Sequence, residues 1–311
     1  MIRFKFIMLS LFFHSGLYTQ SQIIFSRSAG GLNTGETPDL MVYDTQTNSA
    51  TLLFKGSVRK RGEYGAAVSP DGSKLIVNTY KFGGWKLGIA DFKNGEISNL
   101  EKFTKRRNYE YNPSWSHDGE KVAYEEYNRI ENDTDIFIAD KSGNSISRLT
   151  QSDGVDRSPA WTRNNKEIVF TSGRADNYEI YIQSSSGRES KNLTNHKSND
   201  FAPSTSSENE KIAFLSDRGG LINLYTMNYD GSSMHCLTEN LTSDRVIYNG
   251  YETTGYWAYK TTWSPDGKQI AFNVMFGNNL EIFLIDSDGS NLKQLTNNQD
   301  SDFCPFWKNE H

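Results

Sequence analysis

Tyr111-Asn-Pro-Ser-Trp-Ser-His-Asp-Gly119 is one of six copies of a phrase that returns along the whole chain. The position of its Trp is held, in chain order, by Val68, Trp115, Trp161, Thr205, Trp263 and Trp307. Successive copies are 47, 46, 44, 58 and 44 residues apart. Self-similarity at a fixed period of this size is the sequence signature of a repeat architecture.

Each phrase is followed by the same series of short segments. In one unit the apolar run Ile168-Val-Phe170 precedes the run Glu179-Ile-Tyr-Ile182, and the unit closes on the pair Leu193-Thr194. Turns of the Asp-Gly and Asn-Gly type separate such runs, which are rich in β-branched and aromatic residues. Four short strands in about 45 residues are typical of one blade of a β-propeller.

The two ends of the chain supply the two halves of one unit. The last phrase stops at His311 with no apolar run after it, whereas the run Gln22-Ile-Ile-Phe25 has no phrase before it. Joined, they complete a sixth blade that fastens the ring and removes exposed sheet edges. The sequence therefore predicts an all-β, six-bladed β-propeller of four-stranded blades, with the last blade closed by N- and C-terminal strands together.

The first 21 residues look like an export signal. Arg3 and Lys5 give a positive start, an apolar stretch runs from Phe6 to Phe13, and Thr19-Gln-Ser21 offers small residues for cleavage. The apolar stretch is too short to anchor the chain across a membrane. We expect a signal peptide at residues 1–21, a propeller at residues 22–311 and a periplasmic or secreted product. A native N-terminal strand is the alternative.

Composition restricts the class of partner. The chain has 33 Lys and Arg against 38 Asp and Glu, a net charge of −5, and so lacks the basic excess of a nucleic-acid binder.

The two cysteines, Cys236 and Cys304, fall on an outermost and an innermost strand. That separation exceeds the roughly 7 Å between Cα atoms that a disulfide allows. We expect both to be free and buried.

The turns carry a family resemblance. Ser69-Pro-Asp-Gly72 and Trp263-Ser-Pro-Asp-Gly267, with Ser172-Gly-Arg174 and Ser216-Asp-Arg218, resemble the WD-like propeller repeats of the TolB family over about residues 22–311. The resemblance implies a periplasmic propeller that binds a protein, as TolB contacts a peptidoglycan-associated lipoprotein. The chain departs from TolB, which has an α/β domain before its propeller, so a role in a Tol complex stays open. Similar repeats occur in prolyl-type peptidases and oligogalacturonate-lyase-like enzymes.

Five of the six units carry an acid five residues before the Trp position. These residues are Glu63, Glu110, Asp156, Asp200 and Asp302, with Ala258 in the remaining unit. Each is followed by Tyr64, Tyr111, Arg157, Phe201, Tyr259 or Phe303. In a propeller these positions surround one mouth of the central channel. They could bind a cationic group, a metal ion included. Alternatively, the acids could accept backbone hydrogen bonds in the turns, while the aromatic residues pack as wedges between the blades.

Basic residues are expected on the same face. Arg27, Lys81, Arg129, Arg174 and Arg218 fall between the second and third strands of their units. An Arg there could clamp a carboxylate of a ligand, or it could neutralise the neighbouring acidic ring.

The long step of 58 residues marks an insertion around Leu241 to Thr262. It is dense in aromatic residues, which are Tyr248, Tyr251, Tyr256, Trp257 and Tyr259. Tyr and Trp combine contact area with a polar group, which suits a protein interface or sugar stacking. A loop folded over the channel as a plug is the alternative.

These observations favour a non-catalytic, monomeric binding platform for a protein or cell-envelope polymer. The chain contains no Gly-x-Ser-x-Gly, His-Glu-x-x-His or phosphate-loop motif. The predicted binding residues are the five acids, Arg157, Arg174, Arg218, Tyr251, Tyr256, Trp257 and Tyr259, with no cofactor required. A carbohydrate-active propeller, either a lyase or a sugar-binding protein on the same face, is the alternative function.

Overall fold

The computed structural model describes residues 22–30, 37–57, 61–93, 95–187, 189–239, 258–276 and 279–308. Over these residues the chain forms six four-stranded antiparallel sheets, and each innermost strand contacts the innermost strand of the next sheet around a ring. The predicted six-bladed β-propeller is confirmed. The predicted signal peptide and most of the Tyr-rich insertion lie outside the described residues.

The blades follow one another in chain order, and each begins with its innermost strand. Blade 1 comprises β4 (Glu63–Val68), β5 (Lys74–Thr79), β6 (Lys86–Lys93) and β7 (Glu96–Lys102). Blade 2 comprises β8 (Tyr109–Trp115), β9 (Lys121–Asn128), β10 (Asp133–Asp140) and β11 (Ser147–Arg148). Blade 3 comprises β12 (Asp156–Trp161), β13 (Glu167–Ser172), β14 (Glu179–Ser184) and β15 (Ser190–Asn192).

The other three blades are built in the same way. Blade 4 comprises β16 (Asp200–Thr205), β17 (Lys211–Ser216), β18 (Asn223–Asn228) and β19 (His235–Cys236). Blade 5 comprises β20 (Thr261–Trp263), β21 (Gln269–Phe276), β22 (Asn279–Asp286) and β23 (Lys293–Gln294). Blade 6 comprises β24 (Ser301–Trp307), β1 (Gln22–Ser28), β2 (Asp39–Asp44) and β3 (Ser49–Phe54).

Blade 6 joins the two ends of the chain. Strand β24 pairs antiparallel with β1, with Ile23 opposite Trp307 and Arg27 opposite Asp302. Strand β24 also contacts β4 of blade 1, so the ring closes on itself. The predicted closure by both termini is confirmed.

The Ser-Pro-Asp-Gly turn at the end of an innermost strand is held by its own side chains. In blade 1 the hydroxyl of Ser69 donates to Asp71 at 2.6 Å and accepts the N–H of Lys74 at 2.9 Å. Gly72 has a φ of 70°, which favours glycine because it has no Cβ. The same arrangement recurs in blade 2 and blade 5 with Ser116 and Ser264. We call the face that carries these turns the turn face, and the opposite face, where the innermost strands begin, the start face.

In blades 2, 3 and 5 the Trp of the repeated phrase fastens the blade to the one before it. Trp161 is 1% exposed and packs against Ile136 and Ile138 of blade 2. Its indole N–H donates to the carbonyl oxygen of Ser114 at 3.1 Å. Trp115 and Trp263 make the equivalent bonds to blades 1 and 4, at 3.3 and 3.4 Å. Large apolar area and a directed hydrogen bond therefore act together at these blade junctions.

The cysteines agree in part with expectation. Both are free and lie on strands β19 and β24, at opposite edges of their blades. Cys304 is buried, as expected. Cys236 is only half-buried, so that expectation was wrong, because an outermost strand leaves part of its surface to solvent.

A comparison of two Trp→Phe variants measures the junction hydrogen bond. Trp161 and Trp307 are both at most 2% exposed, but no hydrogen bond to the Trp307 indole nitrogen is formed within the described residues. Both variants lose the same ring volume, while only Trp161→Phe loses a hydrogen bond. We expect Trp161→Phe to be less stable than Trp307→Phe by about 1–2 kcal/mol in urea unfolding. Equal losses in the two variants would show that the bond contributes nothing.

Candidate functional site

The five acids of the repeat lie where the innermost strands begin, but none of them has exposed surface. Glu63, Glu110, Asp156, Asp200 and Asp302 are each 0% exposed. They are therefore enclosed beneath the links of the start face and do not form the surface of its mouth. A role for these acids in binding a partner stays a prediction.

Three of the acids are paired with arginines that lie near the end of the second strand or on the link that follows it. Arg27 contacts Asp302 through two hydrogen bonds of 2.7 Å. Arg174 contacts both oxygens of Asp156 at 3.2 Å, and Arg218 forms an ion pair with Asp200 at 2.5 Å. The repeat thus places these arginines where they neutralise the acids internally, which was one of the two interpretations of the pattern.

The other two acids are held by neutral donors. Glu63 accepts the N–H of Ser57 at 2.8 Å and the hydroxyl of Thr79 at 3.0 Å. Glu110 accepts the hydroxyl of Thr104 and the N–H of Leu87. Burial raises the pKa of Glu110, since desolvation penalises the charged carboxylate more than these bonds favour it.

A second set of buried acids also recurs in the sequence, and it was not among the predicted site residues. Asp135, Glu179 and Glu281 lie near the start of the third strands and are at most 3% exposed, and Asn223 holds the same register in blade 4. Their partners are the Thr hydroxyls of the repeated Leu-Thr pairs. Thr296 donates to Glu281 at 2.6 Å and accepts the N–H of Ile282 at 2.9 Å. An acid or Asn recurs in this register, and that recurrence could have revealed the set from the sequence alone.

The residues that follow the first set of acids form a layer across the channel. Tyr64, Phe201, Tyr259 and Phe303 are at most 6% exposed and belong to one apolar cluster, with Tyr111 packed against it. Tyr64 is in blade 1 and Phe201 in blade 4, which stand opposite each other in a ring of six. Arg157 takes the same register in blade 3 and is half-buried. We call this set the aromatic layer.

Half-buried tyrosines and exposed arginines gather on the start face of blades 1 and 2. The ring of Tyr109 lies 6.4 Å from that of Tyr127, and the Arg129 guanidinium stands 5.1 Å above Tyr109. The Arg61 guanidinium stands 5.1 Å above Tyr80. Arg61 and Arg129 are exposed, and the three tyrosines are half-buried. We call these five residues the Tyr-Arg patch.

The surroundings of the patch are basic, with an exposed apolar tip. Lys81, Lys105 and Arg107 are exposed on the neighbouring links. Ile130, at the tip of the hairpin between β9 and β10, is 94% exposed. The repeat did not predict the patch because its aromatic rings come from only two blades, although Lys81 and Arg129 were placed on this face.

The remaining predicted site residues divide into two groups. Tyr251, Tyr256 and Trp257 lie outside the described residues, so their role stays a prediction. Tyr259 is buried in the aromatic layer, and its ring lies 5.7 Å from the ring of Phe201.

Across the described ranges, no group of three or more His, Cys, Asp or Glu residues could hold a metal ion. The same residues contain no helix that is long and apolar enough to cross a membrane.

Comparisons with known proteins agree with the fold. A family model described as "TolB beta propeller domain" matches residues 66–188 and 98–257. A "Protein TolB homolog" from Chlorobium chlorochromatii (strain CaD3) is 27% identical over 108 residues, which are 35% of this chain and 23% of that protein. The match thus covers about a quarter of the relative's length.

Two solved structures show how widely the fold is shared. TolB from Acinetobacter baumannii has a TM-score of 0.72 at 19% identity, covering 92% of this chain and 66% of that chain. A puromycin-hydrolyzing peptidase from Mycobacterium tuberculosis has a TM-score of 0.55 at 14% identity, covering 83% and 41%. At these identities the likeness concerns the fold alone.

Asp135 offers a test of the buried acids through pH. Burial raises its pKa from 3.8 to about 6, although Arg148 lies 2.5 Å away and opposes the shift. A carboxyl that binds its proton more tightly in the folded state makes folding less favourable as pH rises through this range. We expect the free energy of unfolding to fall by about 2 kcal/mol from this group between roughly pH 4 and pH 7.

The variant Asp135→Asn should lose that contribution. Asn223 shows that the fold accepts an amide in this register, where it accepts the Thr238 hydroxyl at 3.0 Å. Urea unfolding of both proteins at the two pH values gives the difference of differences, which removes the cost of breaking the Arg148 pair. An identical pH dependence in both proteins would contradict the assignment.

Proposed function

The chain belongs to the TolB β-propeller family, and we propose that it is a non-catalytic platform that binds a protein or cell-envelope partner on its start face. The observation that carries the proposal is the Tyr-Arg patch. Its residues lie on links and at the adjoining strand ends of a rigid ring of sheets, and such links are where scaffold proteins commonly place binding residues.

The composition of the patch suits a protein interface. Tyr and Arg are enriched among the residues that contribute most to protein–protein binding. A tyrosine offers a rigid apolar ring and a hydroxyl at little conformational cost, and the guanidinium stacked on it is held in place. The exposed Ile130 beside the patch adds apolar area to the same surface.

The charge of the patch indicates the chemistry of the partner. Arg61, Lys81, Lys105, Arg107 and Arg129 form a basic region on a chain whose net charge is −5. Such a local reversal of sign directs an acidic surface to this face and away from the rest of the molecule. We therefore propose an acidic protein or an acidic envelope polymer as the partner.

The geometry gives less support to the carbohydrate-active alternative. General acid–base cleavage of a glycoside needs two carboxyl groups that reach the substrate. The five acids considered for that role have no exposed surface and are hydrogen-bonded within the start face. We accordingly propose binding rather than catalysis, with no cofactor.

The proposal includes an extracytoplasmic location and a monomeric state. Its support is the signal-like sequence of residues 1–21 together with membership of the TolB propeller family. The proposed role places the propeller in the periplasm or outside the cell, where envelope partners are accessible.

A charge-reversal experiment tests the proposed face. The double variant Arg61→Glu and Arg129→Glu should reduce capture of its partner from solubilised envelope extract by tenfold or more, because two attractive charges become repulsive. The matched control reverses Lys141 and Lys268, both more than half exposed on the turn face. This control variant should capture the partner to the same extent as the unaltered protein.

Capture is quantified for each band against the unaltered propeller at low and at physiological salt. A partner lost equally with the control variant, or retained with the patch variant, would exclude the Tyr-Arg patch as the binding surface. Melting temperatures of both variants verify that the ring has remained folded.

A further inference from the structure

The turn-face half of the central channel is a cavity of about 140 Å³ lined by all six innermost strands. This volume far exceeds the roughly 30 Å³ that one water molecule takes in the liquid. The cavity reaches Tyr259 of the aromatic layer at its deep end. Within the described residues it is thus a pocket whose opening is on the turn face, opposite the Tyr-Arg patch.

The wall of the cavity is irregular because the innermost strands bulge inside the channel. The pairing of β8, β12 and β16 with their neighbours shifts by a residue near the middle. Asn112, Ser158 and Ala202 occupy the bulges with φ between 47° and 54° and line the cavity. Lys260 lies in the corresponding register of blade 5 and also lines it.

Lys260 has no counter-ion among the described residues. No carboxylate lies within 4.0 Å of its ammonium group there, and this group stands 5.7 Å from the centre of the Phe306 ring. The adjacent thiol of Cys304 is not a counter-ion, because burial raises its pKa to about 12. An ammonium group held in such a place without a partner loses hydration that nothing replaces.

The one carboxylate of this region is already engaged. Glu125 is 3% exposed and accepts the Asn112 amide and the Ser158 N–H, both at 2.6 Å. Arg157 is a second cation beside Glu125, and its Nε makes no hydrogen bond within the described part of the chain. Two cations against one carboxylate leave one positive charge at the deep end of the cavity.

Hydroxyl groups complete the wall. Thr262 accepts the N–H of Trp307 at 3.2 Å, so its own proton is available to a group inside the cavity. Ser114 also lines the cavity and is half-buried. Burial lowers the pKa of Lys260, and a bound anion would offset that desolvation by restoring an opposite charge. The cavity is thus polar, of limited size and short of one negative charge.

We propose that the turn-face cavity binds a carboxylate group, with Lys260 as its counter-ion and the hydroxyls of Thr262 and Ser114 as further donors. A carboxylate matches the single unbalanced charge and accepts several hydrogen bonds through its two oxygens. It belongs either to a small organic acid or to the C-terminal residue of a peptide. This site is separate from the start face, where the partner is proposed to bind, and it does not depend on the proposed function.

The test uses the full propeller in titration calorimetry with paired probes. Propionate is compared with propionamide, and tri-alanine with a free C-terminus is compared with tri-alanine amide. We expect at least one acid to bind tenfold or more tightly than its amide, because only the acid can pair with Lys260. The pair that shows the difference identifies a small acid or a peptide terminus as the source.

The variant Lys260→Met should weaken the acid's binding tenfold or more. Its matched control is Lys268→Met on the same blade, whose ammonium is exposed and pairs with Asp266 at 3.3 Å. The control should leave the affinity unchanged. Equal affinity for acid and amide, no heat with any probe up to about 10 mM, or full affinity in Lys260→Met would each overturn the proposal. The acid–amide comparison stands even if Lys260→Met does not fold.

Discussion

The hydrogen-bonding demand of buried carboxylates organises the start face. An ionised carboxylate removed from water must be paired or accept several hydrogen bonds, or folding becomes costly. Asp156 and Asp200 meet this demand with an arginine from a link of their own blade, and Glu63 meets it with hydroxyl and backbone donors. The donors come from different links, so satisfying one carboxylate fixes the positions of several loops. The exposed surface that a partner would meet is built on this buried network.

The fold could be predicted because its information is repeated. The spacing of Trp115, Trp161 and Trp263 gave the blade length, and the orphan run at Gln22 gave the closure, since a ring requires both halves of a blade. Register also placed the acids on the correct face. It could not give their burial, because that depends on how the links fold over them, and link conformation is set by contacts between residues far apart in sequence.

The candidate sites depend on residues that break the repeat. Tyr109 in the patch and Lys260 in the channel have no Tyr or Lys at the equivalent positions of the other blades. The positions shared between blades indicate what every blade needs to fold. They do not indicate the residues that a single blade adds. The carboxylates, shared by five blades, are internal components of the fold. Lys260, with its unsatisfied charge, and the half-buried rings of the Tyr-Arg patch belong to only one or two blades.

The joint blade has a consequence for the order of events during synthesis. Arg27 and Asp302, which pair across β1 and β24, are 275 residues apart in sequence. Until residues 301–307 are available, β1 lacks its neighbour β24 and the ring cannot close. Contacts of such long sequence separation form slowly because the loop they close is large. The growing chain therefore remains an open arc with unpaired edges until β24 has been made, and the pairing of β24 with β1 commits the molecule to its native form.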